Sequence, residues 1–238
     1  MKKLNELGRL RLILRHFFSV SIYFNNKDLT IQDDRSYYNF MNATSQKRFN
    51  RDTILSQGVS LLMQQGYHGT GLKEILDAVR IPKGSFYNYF DSKESFAAEV
   101  IQHYIEPFIR QLEGHLSTPD LDALSAIKRY FDELIAELEK SGFKGGCLLG
   151  NLMGEVGDTS ELCRNSLQTA VHRYRDLLKT GLEAAQSQGT VRTDKSAEAM
   201  ADQLVDAWQG ALLRMKIEKS SGPLKQCCRD LLDDYFKA

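Results

Sequence analysis

The chain has 238 residues, 42% hydrophobic and 26% charged, with only four prolines, a composition that excludes disorder as its default and leaves room for one large or two small domains. No run approaches the roughly 18 to 20 apolar residues of a bilayer span, and Phe17–Phe24 is short and lacks a small-residue cleavage site after it, so a cytoplasmic protein without a membrane partner is expected. The formal net charge is zero, yet Lys47–Lys93 and residues 1–40 each carry seven Lys/Arg against four Asp/Glu while the remainder carries 17 against 23, which suits a protein meeting a polyanion with one end.

Residues 1–45 are basic and aromatic, without a sustained helical period, and contain the turn-like pairs Asn25-Asn26 and Asp33-Asp34. Two readings stand for this extension: a mobile basic arm, or a leader that is not translated, with Met41 as the start. After Asn50, a suitable N-cap, Ile54, Leu55, Val59 and Leu62 recur at helical spacing up to Gly66, which fits a C′ position. Leu72, Ile75, Leu76 and Val79 mark a second, short helix, and Pro82 opens a third that ends near Phe90.

Asp91/Ser92 can cap a long helix through Phe96, Val100, Tyr104 and Phe108 that ends between Gly114 and Pro119. The next carries Leu121, Leu124, Ile127, Phe131, Leu134 and Leu138 and stops at Ser141-Gly142. Helices follow at about 147–156, 159–187, 195–219 and 223–236, separated by Gly157-Asp158, Gly189 and Gly222-Pro223. No alternating strand pattern occurs, so the expected fold is all-α.

The third helix has the chemistry of a DNA-reading element. Lys83 and Ser85 fall in its first turn, where a helix aimed into a major groove presents side chains to base edges and N–H groups to phosphate, and Gly84 permits close approach. Phe86 and Phe90 share the face that packs inward. Tyr87, Asn88 and Tyr89 project elsewhere, where Asn can pair with adenine and tyrosine hydroxyls can bond phosphate. Lys93 would meet a phosphate beside the helix.

Gly66-Tyr67-His68-Gly69-Thr70, Ile75, and Pro82-Lys83-Gly84-Ser85-Phe86-Tyr87-Asn88-Tyr89-Phe90-Asp91-Ser92-Lys93-Glu94 together resemble the tetracycline-repressor (TetR) family over about 48 residues. The resemblance implies a three-helix helix-turn-helix domain at 46–93, a helical effector-binding and dimerisation domain at 94–238, and a homodimer on a pseudo-palindromic double-stranded operator, with repression relieved by a small molecule. Carried over by position, Thr70, Tyr87, Tyr89 and Lys93 fall on DNA-backbone positions, and Lys83, Gly84 and Asn88 on groove-facing ones. Val79, Arg80 and Pro82 depart from the residues usual there.

In the second half, Gly145-Gly146-Cys147-Leu148-Leu149-Gly150-Asn151-Leu152 sets a thiol at a helix start, where the helix dipole and nearby Lys144 favour thiolate. This segment, with Leu213-Arg214-Met215-Lys216-Ile217, resembles the branch of the family related to the repressor of N-ethylmaleimide reductase, which senses electrophiles and oxidants through a cysteine; the resemblance implies Lys216 as the partner of Cys147. The other reading is that Cys147 is a small buried hydrophobe, with a purely non-covalent apolar ligand as effector. Cys163, Cys227 and Cys228 read as packing residues.

Tyr104, Phe108, Phe131, Met153 and Trp208 are pocket candidates that equally suit a core, and Asn151 and Glu155, four apart, can bond a ligand or one another's neighbours. Leu204, Trp208, Leu212 and Met215 form a stripe comparable to Leu224, Leu231, Tyr235 and Phe236 on the following helix, and two such helices per subunit are expected to make a four-helix dimer interface, the other reading being packing within one subunit.

Enzyme motifs do not appear. Gly145 to Gly150 has the glycine spacing of a phosphate loop, but Asn151-Leu152 stand where Lys-Ser/Thr is required. The five histidines are scattered and the four cysteines lack metal-ligand spacing, so no metal or cofactor is expected. A helical adaptor that binds only proteins is the remaining alternative, and it leaves Pro82–Phe90 unexplained.

Overall fold

The computed structural model describes residues 38–79 and 81–238, with side chains described for 51–79 and 81–238. Contacts group the chain into two units, Met1–Ser45 and Gln46–Ala238. The alternatives for the extension, insofar as they concern residues 1–37, lie outside the described residues, as does Arg80.

Among the described residues the fold is all-α: α1 Tyr38–Gly69, α2 Leu72–Val79, α3 Lys83–Phe86, α4 Lys93–Leu116, α5 Ala123–Lys140, α6 Leu148–Val156, α7 Glu161–Ser187, α8 Ala197–Glu218 and α9 Gly222–Cys228, followed by a π-helical segment Arg229–Tyr235. A lone bridge, Val191 to Lys237, ties the C-terminal tail to the α7–α8 loop. No helix among the described residues is long and apolar enough to cross a membrane.

Local chemistry sets most of the boundaries. Ser92 and Ser95 form a reciprocal capping box at α4, each side chain accepting the other's backbone N–H at 2.9 Å. Asp122, Ser160 and Ser196 cap α5, α7 and α8 through the N–H three residues on. Gly66 breaks α1 with φ 73° and ψ 177°, a conformation open essentially to glycine. A Cβ there would also stand 2.4 Å from Glu155 Oε1.

Three boundaries differ from the sequence reading. The helix runs through Asn50, because Ser45 to Arg48 supply no Gly or Pro to stop it and an interior Asn costs only a few tenths of a kcal/mol. The third helix closes at Phe86, with Tyr87–Tyr89 in a turn whose N–H groups still bond back to Ser85 and Phe86. The last helix becomes a π-helix after Cys228, where the Phe236 N–H bonds the Leu231 carbonyl at 2.8 Å. That i to i−5 bond turns Phe236 onto the side of Leu231 and Leu232, and all three are buried.

Two apolar clusters form the interior. The first joins α1–α4 with α6 and the start of α7, and holds an aromatic triangle of Phe86, Phe90 and Phe96 with centroids 5.1 to 5.6 Å apart. Each such ring contributes about 1.5–3 kcal/mol on burial. The second joins α5, α8, α9 and the π segment around Ile127, Phe131, Leu204, Trp208 and Phe236. Helix α4 runs through both, and Phe108, Cys147, Val171 and Tyr174 pack against both.

The stripe Leu204, Trp208, Leu212 and Met215 belongs to this second cluster, at most 6% exposed in the single chain. It corrects the dimer-interface expectation. Phe131 of α5 meets Trp208 at 4.7 Å between centroids, so the stripe is covered from within the subunit.

Candidate nucleic-acid interface and effector cavity

With Phe86 and Phe90 in the core at 0% and 2% exposure, the opposite side of the α3 turn faces out. Lys83, Gly84, Tyr87 and Asn88 are exposed there, and Ser85 and Tyr89 are half-buried beside them. A Cβ added at Gly84 would meet nothing within 4 Å, so the helix start leaves an unobstructed approach. The Arg51 guanidinium steadies the group from behind: it donates to the Tyr89 carbonyl at 3.0 Å, pairs with Glu99 and lies over the Phe90 ring.

Two residues of the expected set have other tasks here. Thr70 is fully buried and its hydroxyl donates to the Gly66 carbonyl at 2.7 Å, so it pins the α1–α2 turn and its side chain does not face outward. Lys93 is half-buried, donates to the Tyr67 carbonyl at 2.6 Å and sits over the Tyr67 ring. Burial pulls its ammonium below the ordinary lysine value, against the opposing pull of Glu155 and Glu74.

Glu155, at the end of α6, completes this corner. Its carboxylate accepts the Tyr67 N–H at 2.7 Å and the His68 N–H at 3.2 Å. The pairing of Asn151 with Glu155 as ligand groups is therefore not what the geometry brings about: Asn151 donates to the Gly145 carbonyl and to Met63 Sδ, and neither residue lines the cavity beside Cys147.

At the other end of α6, Cys147 occupies the N-cap position and faces a cavity of about 260 Å³ at the seam between the two clusters. Tyr104, Phe108 and Trp208 line it as the sequence suggested, joined by Tyr130, Tyr174 and Gln209. Phe131 sits behind Trp208, and Met153 is 40% exposed on the surface. Gln209 Nε2 donates to Cys147 Sγ at 3.3 Å. Lys216 is not in the lining; its stem passes the loop, so that a Cβ at Gly146 would stand 3.8 Å from Lys216 Cδ.

The cavity is rich in neutral phenols. Burial pushes Tyr104, Tyr130 and Tyr174 well above the ordinary 10.0, so all three remain O–H donors at neutral pH. Sequence reasoning missed Tyr130, Tyr174 and Gln209, since residues at helical spacing in an apolar stripe look like core. Of the other thiols, Cys163 is buried and Cys227 and Cys228 are half-buried against the second cluster, consistent with packing.

Residues 54–100 match the family described as bacterial regulatory proteins, tetR family, and residues 123–231 match the tetracyclin repressor-like C-terminal domain. The chain is 32% identical over 176 residues to the transcriptional repressor DhaR of Mycobacterium sp. (strain GP1), covering 74% of this chain and 87% of that protein. It is 33% identical over 178 residues to the transcriptional regulator AcuR of Cereibacter sphaeroides, covering 74% and 81%. The reduced form of Escherichia coli NemR superposes with a TM-score of 0.73 at 28% identity, covering 79% of this chain and 97% of that one. A TetR regulatory protein of Rhodobacter sphaeroides gives 0.70 at 30% identity, covering 76% and 95%.

Proposed function

We propose, from the premise that the chain belongs to the TetR family of DNA-binding transcriptional regulators, that it is a cytoplasmic homodimeric repressor released from its operator when the α4–α8 cavity is filled or Cys147 is modified. Residues 46–93 form the DNA-reading unit, with Lys83, Gly84, Ser85, Tyr87, Asn88 and Tyr89 on the DNA and Lys93 at its edge. Residues 94–238 bind the effector and the second subunit.

The observation that carries this reading is the exposure of Lys83, Gly84, Tyr87 and Asn88 around a turn whose Phe86 and Phe90 are locked into the core. Helix α6 supplies a route between the sites, since its N-cap Cys147 and its Leu149 border the cavity and its Glu155 holds the α1–α2 turn. An effector shifts DNA affinity only through a difference in its own affinity for the two states. Cys147 meets that requirement because a bulky adduct has to displace Gln209 or the cavity wall.

The test is a fluorescence-anisotropy titration of the reduced full chain on DNA flanking its own gene, against a random duplex, before and after N-ethylmaleimide treatment. Salt-sensitive binding that prefers the flanking DNA and is lost on treatment supports both halves of the proposal. Binding unchanged by treatment, or lost equally in Cys147→Ser, removes Cys147 as the sensor. Equal binding to both duplexes removes the operator reading.

A further inference from the structure

Tyr130 Oη is the one buried side-chain N or O atom among the described residues that has no hydrogen-bond partner. The ring is 0% exposed and lies in the wall of the cavity that also holds Cys147. The Tyr174 hydroxyl is a close neighbour that acts on the ionisation of Tyr130 as a hydrogen-bonding group does, but the two phenols do not meet in good hydrogen-bond geometry, so Tyr130 Oη keeps an unused donor. Buried polar groups in folded proteins are nearly always paired, so an orphan hydroxyl in a cavity wall calls for an acceptor brought by something else. The lining is otherwise mainly aromatic and aliphatic, with Phe108, Leu149, Val205, Trp208 and Leu212 among it.

We infer that Tyr130 is the recognition group of the effector site: its O–H donates to the carbonyl oxygen of an uncharged, compact carbonyl compound whose apolar body lies against Phe108 and Trp208. The inference rests on the reading of this cavity as the effector site. An uncharged ligand fits because an ionised phenol is disfavoured by burial and the groups facing the interior are neutral O–H and amide donors, while the charged Glu137 and Lys144 in the lining are exposed residues. A simple alkane fits the apolar wall but leaves the hydroxyl orphaned.

When the carbonyl is conjugated to a C=C bond, the same contact assists reaction at Cys147. The thiol sulfur forms a bond to the β-carbon, and the π pair moves to the carbonyl oxygen, where the Tyr130 O–H stabilises the negative charge. The thiol's proton is returned at the α-carbon. The net change is addition of S–H across C=C, with no oxidant, reductant or leaving group.

Trp208 is the chain's sole tryptophan and lines the cavity, so its fluorescence reports occupancy directly. Cyclohexanone, a non-reactive carbonyl probe, is titrated into reduced full-length parent and Tyr130→Phe. We expect at least tenfold weaker binding in Tyr130→Phe. Intact-mass kinetics at Cys147 are then followed with cyclohexenone and with methyl methanethiosulfonate, which modifies thiols without offering a carbonyl. Tyr130→Phe is expected to slow the first about tenfold or more and leave the second within about twofold.

Equal cyclohexanone binding by parent and Tyr130→Phe overturns the inference, and so does equal slowing with both thiol reagents, which marks a purely structural role. If Cys147 of the parent reacts with neither reagent while cyclohexanone binding still depends on Tyr130, the carbonyl site stands and thiol sensing falls.

Discussion

A buried hydroxyl left without a partner costs about 1–3 kcal/mol, and Tyr130 carries that cost while the cavity is empty. Tyr130→Phe, which removes only the oxygen, is expected to raise the melting temperature of the ligand-free protein by several degrees, at about 2–4 °C per kcal/mol for a chain of this size. A melt unchanged or lowered would show that the oxygen is satisfied. The same phenols make stability depend on pH. Because burial holds Tyr104, Tyr130 and Tyr174 above 10.0, the folded chain keeps protons that the unfolded chain begins to release at that pH. Their contribution to stability is full below pH 10 and is lost as pH rises towards the folded values. Denaturant midpoints between pH 9 and 11.5 should therefore fall, and fall less steeply in Tyr130→Phe. The thiols divide in the same way: burial raises Cys163, lifts Cys227 to about 11 and lifts Cys228 to about 12. Those three are held as thiols by burial while Cys147 faces the cavity, so brief iodoacetamide labelling of the native protein at pH ~7.5 should place its first label on Cys147, as read by peptide mass mapping.

At the scale of elements, α6 is short and held at both ends, with Cys147 beside the cavity and Glu155 at the α1–α2 turn, so in the proposed mechanism it is the element that would carry a change at the cavity towards the DNA-reading unit. Charge-assisted hydrogen bonds contribute about 1.5–3 kcal/mol, and Glu155 makes two, to Tyr67 and His68. Glu155→Ala should leave cyclohexanone binding near the parental value and shrink the ratio of DNA affinities with and without ligand; an unaltered ratio would place the coupling elsewhere, in α4. The crossing of α1 over α4 depends on Gly58, where a Cβ would stand 2.4 Å from Phe96 Cζ and 2.7 Å from Val100 Cγ2. Overpacking of that kind costs about 1–3 kcal/mol, so Gly58→Ala is expected to lower the melting temperature. The sequence made legible what local chemistry decides: the Ser92 start, the break at Gly66, and the inward face of Phe86 and Phe90. It could not show the π-helical close, because Phe236 is drawn in by a core assembled from distant segments, nor the orphan hydroxyl of Tyr130, which lies inside an unremarkable apolar stripe. The Trp208 stripe misled for a related reason: periodicity shows that a face is apolar, and only tertiary packing decides whether α5 or a second subunit covers it.

For the whole molecule, zero net charge is no obstacle to DNA binding when the cations stand where the phosphates arrive. Phosphate contacts release counterions, and log K falls with log salt by about 0.9 per contact on duplex DNA. In the proposed dimer, Lys83 and Lys93 from each subunit give four cationic contacts and a slope of about −3.6. Lys83 is exposed and free to move onto a phosphate or base edge, whereas Lys93 must keep or exchange its bond to the Tyr67 carbonyl. Lys83→Ala should therefore reduce the slope by about 1.8 with little change in melting temperature, while Lys93→Ala should reduce the slope and also destabilise the turn. Dimerisation has to use a surface other than the Trp208 stripe. On α8, Leu213 at 57% and Ile217 at 80% exposure share an outward face with Gly210, a row of apolar and small side chains that one subunit leaves uncovered. If a second copy covers that row, Ile217→Glu brings a charge into the interface, and sedimentation equilibrium should show dissociation at micromolar concentration. The operator slope would then fall to about half, since each monomer brings only one recognition helix and two lysines. A variant that remains dimeric with an undiminished slope would move the interface off this face of α8 and leave the pairing of two DNA-reading units to another surface.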